Sequence, residues 1–200
     1  MTAAKTEMVQ MSHDRLWDLL LDTWRELDVP EGWHAEIGEG RIRLVSPRHA
    51  QHNRITAKLQ RALLTVLPTE WEIFQTLGIQ IVASEKLCIP DLVVVPDDVV
   101  AAVPAGRNTP VDAGEALLVV EVTSPFNADD DRVTKRDAYA QAGIPTYLLV
   151  DRFDRHGPTS TLFTEPKNGA YLLTRRVPFG DQLHLPEPFD LKIDTSAFPV

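Results

Sequence analysis

Residues 116–122 read Ala-Leu-Leu-Val-Val-Glu-Val, a nearly unbroken aliphatic run with one charge, Glu121. A strand with one wet face alternates apolar and polar residues; a continuous run instead fits a central strand covered on both faces. The run is far too short to cross a bilayer as a helix. The chain must therefore place helices on the faces of a sheet and accommodate a carboxylate inside it, where an unpartnered charge is expensive.

A second carboxylate stands at the mouth of a similar run. Pro90-Asp91 directly precedes Leu-Val-Val-Val-Pro at residues 92–96. If that strand neighbours the one carrying Glu121, the two acids lie side by side, and they repel unless a proton or a cation intervenes. A divalent cation keeps both ionised, and oxygen ligands with open water positions suit Mg2+ or Mn2+ rather than zinc. Lys135 lies on the helix expected after Glu121, one turn from both Asp131 and Tyr139, so the three share a face. If that face packs back on the strand end, the ammonium can orient a water or offset charge developing on a phosphate, and the set fits metal-assisted hydrolysis of a phosphodiester. Each residue has a plainer alternative: a turn for Asp91, an ion pair with a structural Arg or Lys for Glu121, a surface helix pair with Asp131 for Lys135.

The remaining pattern predicts an α/β (α+β) chain: one domain over residues 1–200, with a mixed sheet flanked by helices and antiparallel strands at the C-terminal end. Apolar residues at helical spacing predict a helix from Ser12 to Leu27, starting near Ser12 or His13-Asp14. A β-hairpin follows over 33–47, turning at Gly38-Glu39-Gly40. A second helix runs from Arg48 or His49 to Leu67, ended by Pro68, with Ile55, Leu59, Leu63 and Val66 inward. Two strands are expected across 70–96, then a loop rich in Pro, Gly and Asn. A third helix spans Ala128 to Gln141, with Gly143 as its stop and Pro145 beyond, and a further strand covers 146–151.

Twenty basic and 29 acidic residues leave a net charge of −9, which argues against a nonspecific nucleic-acid coat. It leaves room for an enzyme acting on DNA through a local basic groove. Arg54, Lys58 and Arg61 form a basic stripe on the second helix, and Arg132, Lys135 and Arg136 sit on the third. If both helices flank one groove, phosphates find cations there; otherwise these are solvated helix faces. The single cysteine, Cys88, excludes an internal disulfide and a cysteine-based zinc site, and reads as a small core residue. The first 20 residues show no cationic segment followed by an apolar stretch, so the expectation is a cytoplasmic protein without a membrane partner. Phosphate-binding glycine loops, nucleophile elbows and HExxH pairs are absent from the sequence.

Taken together, "PDLVVV", "LLVVEVTSP" and "DRVTKRDAYAQAGIPTYLLVD" resemble the Uma-two family of bacterial endonucleases, within the PD-(D/E)XK superfamily that shares a restriction-endonuclease-like core. The resemblance runs from about Trp33 to Asp151 and is most specific from Glu121 onward. It implies a DNA endonuclease using Mg2+ or Mn2+, with Asp91 and Glu121 as metal-binding acids and the Val122 carbonyl as a further ligand. The superfamily pattern wants a lysine two residues after the second acid, where this chain has Thr123. In this family the lysine comes instead from the following helix, which points to Lys135. Glu36 and His52 match an acid in the family's hairpin and a histidine opening its helix. Ser124 and Tyr139 are candidates to hydrogen-bond the site. The resemblance also implies a homodimer. A rival expectation is a catalytically weak or vestigial nuclease fold serving as a binding or assembly module, favoured by Thr123 and the acidic balance.

Overall fold

The computed structural model describes residues 13–104, 108–125 and 127–199. Ser12, one candidate start of the first helix, lies outside the described residues. Helix α1 spans His13–Glu26 and buries Trp17, Leu21 and Trp24 against a hairpin formed by β1 (His34–Gly38) and β2 (Arg41–Val45). The Trp24 indole donates to the Ala35 carbonyl at 2.6 Å, which fixes the helix on β1. Glu39 and Gly40 both take left-handed backbone angles, the geometry a two-residue hairpin turn requires.

Helix α2 (Ala50–Leu63) is shorter than its apolar pattern suggested; residues 64–66 continue as a turn. Where two strands were expected there are four: β3 (Trp71–Phe74), β4 (Ile79–Ile81), β5 (Lys86–Cys88) and β6 (Leu92–Pro96). The break after β4 is a 3-10 turn ending at Glu85 in a left-handed conformation, a bend that apolar periodicity does not signal. Helix α3 (Asp97–Ala101) precedes the expected loop, residues 104–115, and the two-residue β7 (Val111–Asp112) lies within it. Strand β8 is Leu118–Val122 and β9 is Thr146–Asp151, with a helical segment over 128–141 between them. Its central stretch, Asp130–Lys135, is π-helical, and α4 (Arg136–Gln141) completes it. Strands β10 (Thr159–Lys167), β11 (Ala170–Pro178), β12 (Gln182–Leu185) and β13 (Leu191–Asp194) form the C-terminal part.

The central sheet has six strands in the order β11-β10-β9-β8-β6-β3, with β8 and β9 parallel and the other pairs antiparallel. A second sheet, β2-β1-β5-β4-β7, carries the hairpin. Leu92, Val94, Val120 and Val122 pack with Ile55, Leu59 and Leu63 of α2 on one face. Val93, Val95 and Val119 pack with Ala138 and Tyr139 of α4 on the other. Burial on both faces is why β6 and β8 read as continuous aliphatic runs. It also corrects the expectation of one basic groove between two helices: α2 and α4 lie on opposite faces, so their basic residues do not share a cleft. Among the described residues no helix is long and apolar enough to cross a membrane.

Candidate active site

Strands β6 and β8 pair with Leu92 opposite Val120, so one further step of the register sets Asp91 across from Glu121. The Asp91 carboxylate, 9% exposed, accepts the Val122 N–H at 2.8 Å, which ties it to the adjacent strand. His52, buried in the first turns of α2, lies 2.9 Å away through Nε2, and Arg48 Nε lies at 3.3 Å. Burial works against the charge on Asp91, but the His52 ring, Arg48 and the Val122 amide outweigh it and hold the carboxyl below its ordinary range. An ionised Asp91 requires His52 to carry its proton on Nε2. The other ring nitrogen, Nδ1, is buried without a hydrogen-bond partner.

Glu121 is fully buried. Its Oε1 accepts from Lys135 Nζ at 2.9 Å and from the Tyr139 hydroxyl at 2.7 Å, while Oε2 is buried with no hydrogen-bond partner. Burial pushes the Glu121 carboxyl up to about 7, with Asp91 and Glu36 adding to the pressure and Lys135 resisting it. An unpaired carboxylate oxygen inside a protein is uncommon, and one at the end of a central strand is the atom a cation would take.

Lys135 is 2% exposed and donates to Glu36 Oε1 at 3.0 Å as well as to Glu121. Asp131 approaches it at 3.5 Å. Burial alone would neutralise such a lysine, yet the surrounding carboxylates raise its pKa well above the ordinary value, so it stays an ammonium. The π-helical stretch delivers both residues inward, and the Tyr147 hydroxyl donates to the Asp131 carbonyl at 2.9 Å, satisfying backbone there. Buried Asp131 is pushed well above the carboxylate range by burial, against the pull of Lys135.

Glu36, on β1 of the second sheet, also accepts the Ile89 N–H at 3.1 Å and Arg43 at 3.0 Å. Burial opposes its charge, but Lys135, the Ile89 amide and Arg43 bring the carboxyl down to about 2. Arg43 bridges on to Asp130, joining the hairpin to the π-helical segment. A cavity of about 260 Å3 opens on the Lys135 side between Glu36, Arg43 and Asp130, and another of about 260 Å3 reaches Asp91 past His34, Arg48 and His52.

Six of the seven side chains singled out in the sequence thus meet or adjoin one another: Glu36, His52, Asp91, Glu121, Lys135 and Tyr139. Ser124 does not join them through its described bonds. Its amide and hydroxyl both donate to Asn127 Oδ1, in the turn ahead of the helical segment. Thr123, in the position where the superfamily pattern has lysine, donates to Asp151 at 3.1 Å. Sequence reasoning missed Arg48, 43 residues from Asp91, and Arg43, which stands opposite Glu36 in the hairpin and also reaches Asp130, 87 residues on. Arg48 stands just ahead of the helix that His52 opens, which is the one local hint to it.

Among the described residues no three His, Cys, Asp or Glu side chains converge as a ready-made cation cage. The side chains that stand opposite each other there offer hard oxygen atoms: Asp91, and Glu121 with its orphaned Oε2. That set fits Mg2+ or Mn2+, which take one or two protein carboxylates and leave the remaining positions to water and substrate phosphate.

A mixed sheet with these acids at its strand ends is the frame of a restriction-endonuclease-like nuclease fold. In keeping with it, a solved structure described as "a putative nuclease belonging to DUF820" from Anabaena variabilis ATCC 29413 superposes with a TM-score of 0.69, covering 90% of this chain and 96% of that one at 17% identity. The family profile for Uma2, described as "Putative restriction endonuclease", matches residues 21–196, and the chain belongs to that family. No curated protein matches it.

Proposed function

We propose that the protein is a metal-dependent endonuclease that hydrolyses phosphodiester bonds of DNA. The observation that carries the reading is a buried ammonium, Lys135, held between Glu121 and Glu36 while the second oxygen of Glu121 stays unpartnered beside Asp91. Asp91, Glu121 and the Val122 carbonyl would hold Mg2+ or Mn2+, which when bound supplies positive charge where the phosphate becomes most negative. Lys135 holds its protons toward the site and orients the attacking water, with Glu36 keeping the ammonium charged and aimed. Tyr139 fixes the Glu121 rotamer through its hydroxyl. His52 fixes Asp91 from the opposite face of the sheet. Lys135 thus fills from the helix the role that Thr123 leaves open on the strand.

Cleavage of supercoiled and linear DNA in Mg2+ or Mn2+, compared between wild type and Asp91→Asn and Glu121→Gln, tests this. Loss of cleavage in both folded variants is expected; equal cleavage in all three proteins refutes the assignment.

The rival reading is a nuclease fold retained as a binding or assembly module. One observation favours it: both oxygens of Asp91 are already taken, by Arg48 and by His52 with the Val122 amide. It predicts no cleavage and no Mn2+-dependent gain in stability.

A further inference from the structure

An acidic chain that cuts DNA must meet the phosphate backbone somewhere, and the basic helix faces do not offer that place. Arg132 is taken by Asp151 and Asp129, Lys135 by Glu36 and Glu121, and Arg136 by Asp137. The stripe of Arg54, Lys58 and Arg61 runs along α2 away from the carboxylates.

A third cavity, of about 240 Å3, lies against the site on the Arg48 and His52 side. Its walls are the connection from β2 into α2 (Ser46 to His49), the strand end at Thr123–Pro125, and Arg152 with Phe153 after β9. It contains no acidic residue, in a protein with a net charge of −9, while Arg48, His49, His52 and Arg152 all line it. Two further observations point to an anion. Arg152 makes no ion pair among the described residues; its Nε is buried without a hydrogen-bond partner, and its guanidinium carbon stacks 5.4 Å from the Phe153 ring. The N-cap of α2, His49, makes no side-chain cap bond, and the first turn carries no acid, so the positive end of a 14-residue helix is open toward the cavity.

We propose that this cavity is a phosphate-binding subsite for the nucleic-acid backbone, with Arg152 as its anchoring cation. Arg48 lines the subsite and pairs with Asp91, so a phosphate held there lies next to the acidic site. The subsite rests on the nuclease reading, and it supplies the basic contact that the chain's overall charge does not. It recognises phosphate rather than bases, so it contributes affinity without sequence preference.

The test is binding of a fluorescein-labelled duplex oligonucleotide in Ca2+, titrated at several salt concentrations, for wild type, Arg152→Met and Arg152→Lys. Mn2+ binding by calorimetry is measured alongside. Arg152→Met is expected to bind all duplex sequences more weakly and to lower the salt slope by about 1, the signature of one lost phosphate contact. Arg152→Lys restores most of the slope, and both variants keep wild-type Mn2+ binding. An unchanged affinity and slope in Arg152→Met overturns the subsite while leaving the nuclease reading intact. Loss of Mn2+ binding in Arg152→Met shows a structural role and overturns the subsite too. A wild type that cleaves no DNA and binds none overturns both.

Discussion

Lys135 Nζ stands 2.9 Å from Glu121 Oε1 and 3.0 Å from Glu36 Oε1, one ammonium joining carboxylates from two different sheets. Removing one member of a buried ion cluster leaves the others uncompensated, at a cost of about 3–5 kcal/mol. Lys135→Met keeps the apolar stem and deletes the charge. Urea denaturation should show the variant much less stable at pH 8 and closer to wild type at pH 5, where Glu121 takes up its proton. A deficit equal at both pH values would mean that the ammonium does not carry the cluster.

The two acids that flank Lys135 titrate in opposite senses, and their variants should show it. Glu121 is raised from 4.5 to about 7, so the folded state holds a proton that the unfolded chain has lost. Its contribution is therefore present below pH 4.5 and is lost as pH rises through about 7. Glu121→Gln, measured in EDTA at pH 8, should be more stable than wild type by an amount on the order of 1–3 kcal/mol.

Glu36 behaves in the converse way. Its carboxyl is depressed from 4.5 to about 2, so its contribution is present above pH 4.5 and is lost as pH falls through about 2. Glu36→Gln should be less stable than wild type at pH 7, with the difference closing as the pH approaches 2. If both variants shift stability in the same direction at neutral pH, the opposite titration of Glu121 and Glu36 is wrong.

The parts of this site that were legible in the sequence are those written locally. Glu121 is the one charge in an aliphatic run, Asp91 follows a proline at a strand mouth, and Lys135 shares a helical face with Asp131 and Tyr139. Their convergence followed from two conditions, that the strands of Asp91 and Glu121 be neighbours and that the Lys135 face pack back on the strand end; β6 and β8 pair, and Lys135 reaches Glu121. What was not legible depends on packing between distant segments. The pairing of Arg48 with Asp91 spans 43 residues and that of Arg43 with Asp130 spans 87, and no spacing rule reaches so far. Strands β4 and β5 escaped notice because each is three residues long, too short for a period of two to register. The π-helical stretch has no sequence mark either, although the i, i+4 spacing of Asp131 and Lys135 survives it.

Asp151 holds the chain around Thr123 in place. Only 2% exposed, it accepts from Thr123 at 3.1 Å, from Arg132 Nε at 2.7 Å and from the Phe153 N–H at 3.0 Å. Asp151→Ala takes the acceptor from the buried Thr123 hydroxyl and from the Phe153 amide, and unties Arg132, with the helical segment that also carries Lys135, from the end of β9. A loss of about 2–4 kcal/mol is expected, since each unsatisfied buried group costs about 1–3 kcal/mol. Thermal melts with hydrogen exchange over 128–141 would check it, with faster exchange there expected before global unfolding.

Cys88 offers a clean probe of the packing beside the site, because the chain has one cysteine. Burial pushes its thiol up to about 12. Native protein at pH 8 should resist a maleimide reagent and react fully in urea. Rapid native labelling would show that the region beside Lys135 opens readily.

The cation itself gives the most direct separation of the nuclease reading from the assembly-module reading. A ligand that binds only the folded state stabilises it by about 2.7 kcal/mol at a hundred times its dissociation constant. For a chain of 200 residues, that corresponds to a rise in Tm of about 5–10 °C. Wild type in excess Mn2+ should show such a rise, reversed by EDTA. Glu121→Gln removes the charge next to the orphaned Oε2 and should lose most of it, as should Asp91→Asn. The two variants then start from different baselines. Glu121→Gln is already relieved of a destabilising buried charge in EDTA, whereas Asp91→Asn has lost a carboxylate that Arg48 and His52 held in its charged form. A metal-binding pair therefore yields one variant more stable and one less stable than wild type without Mn2+, and two unresponsive variants with it. An ion-paired structural cluster yields the same baselines but no response in wild type either, so the wild-type Mn2+ response decides between them.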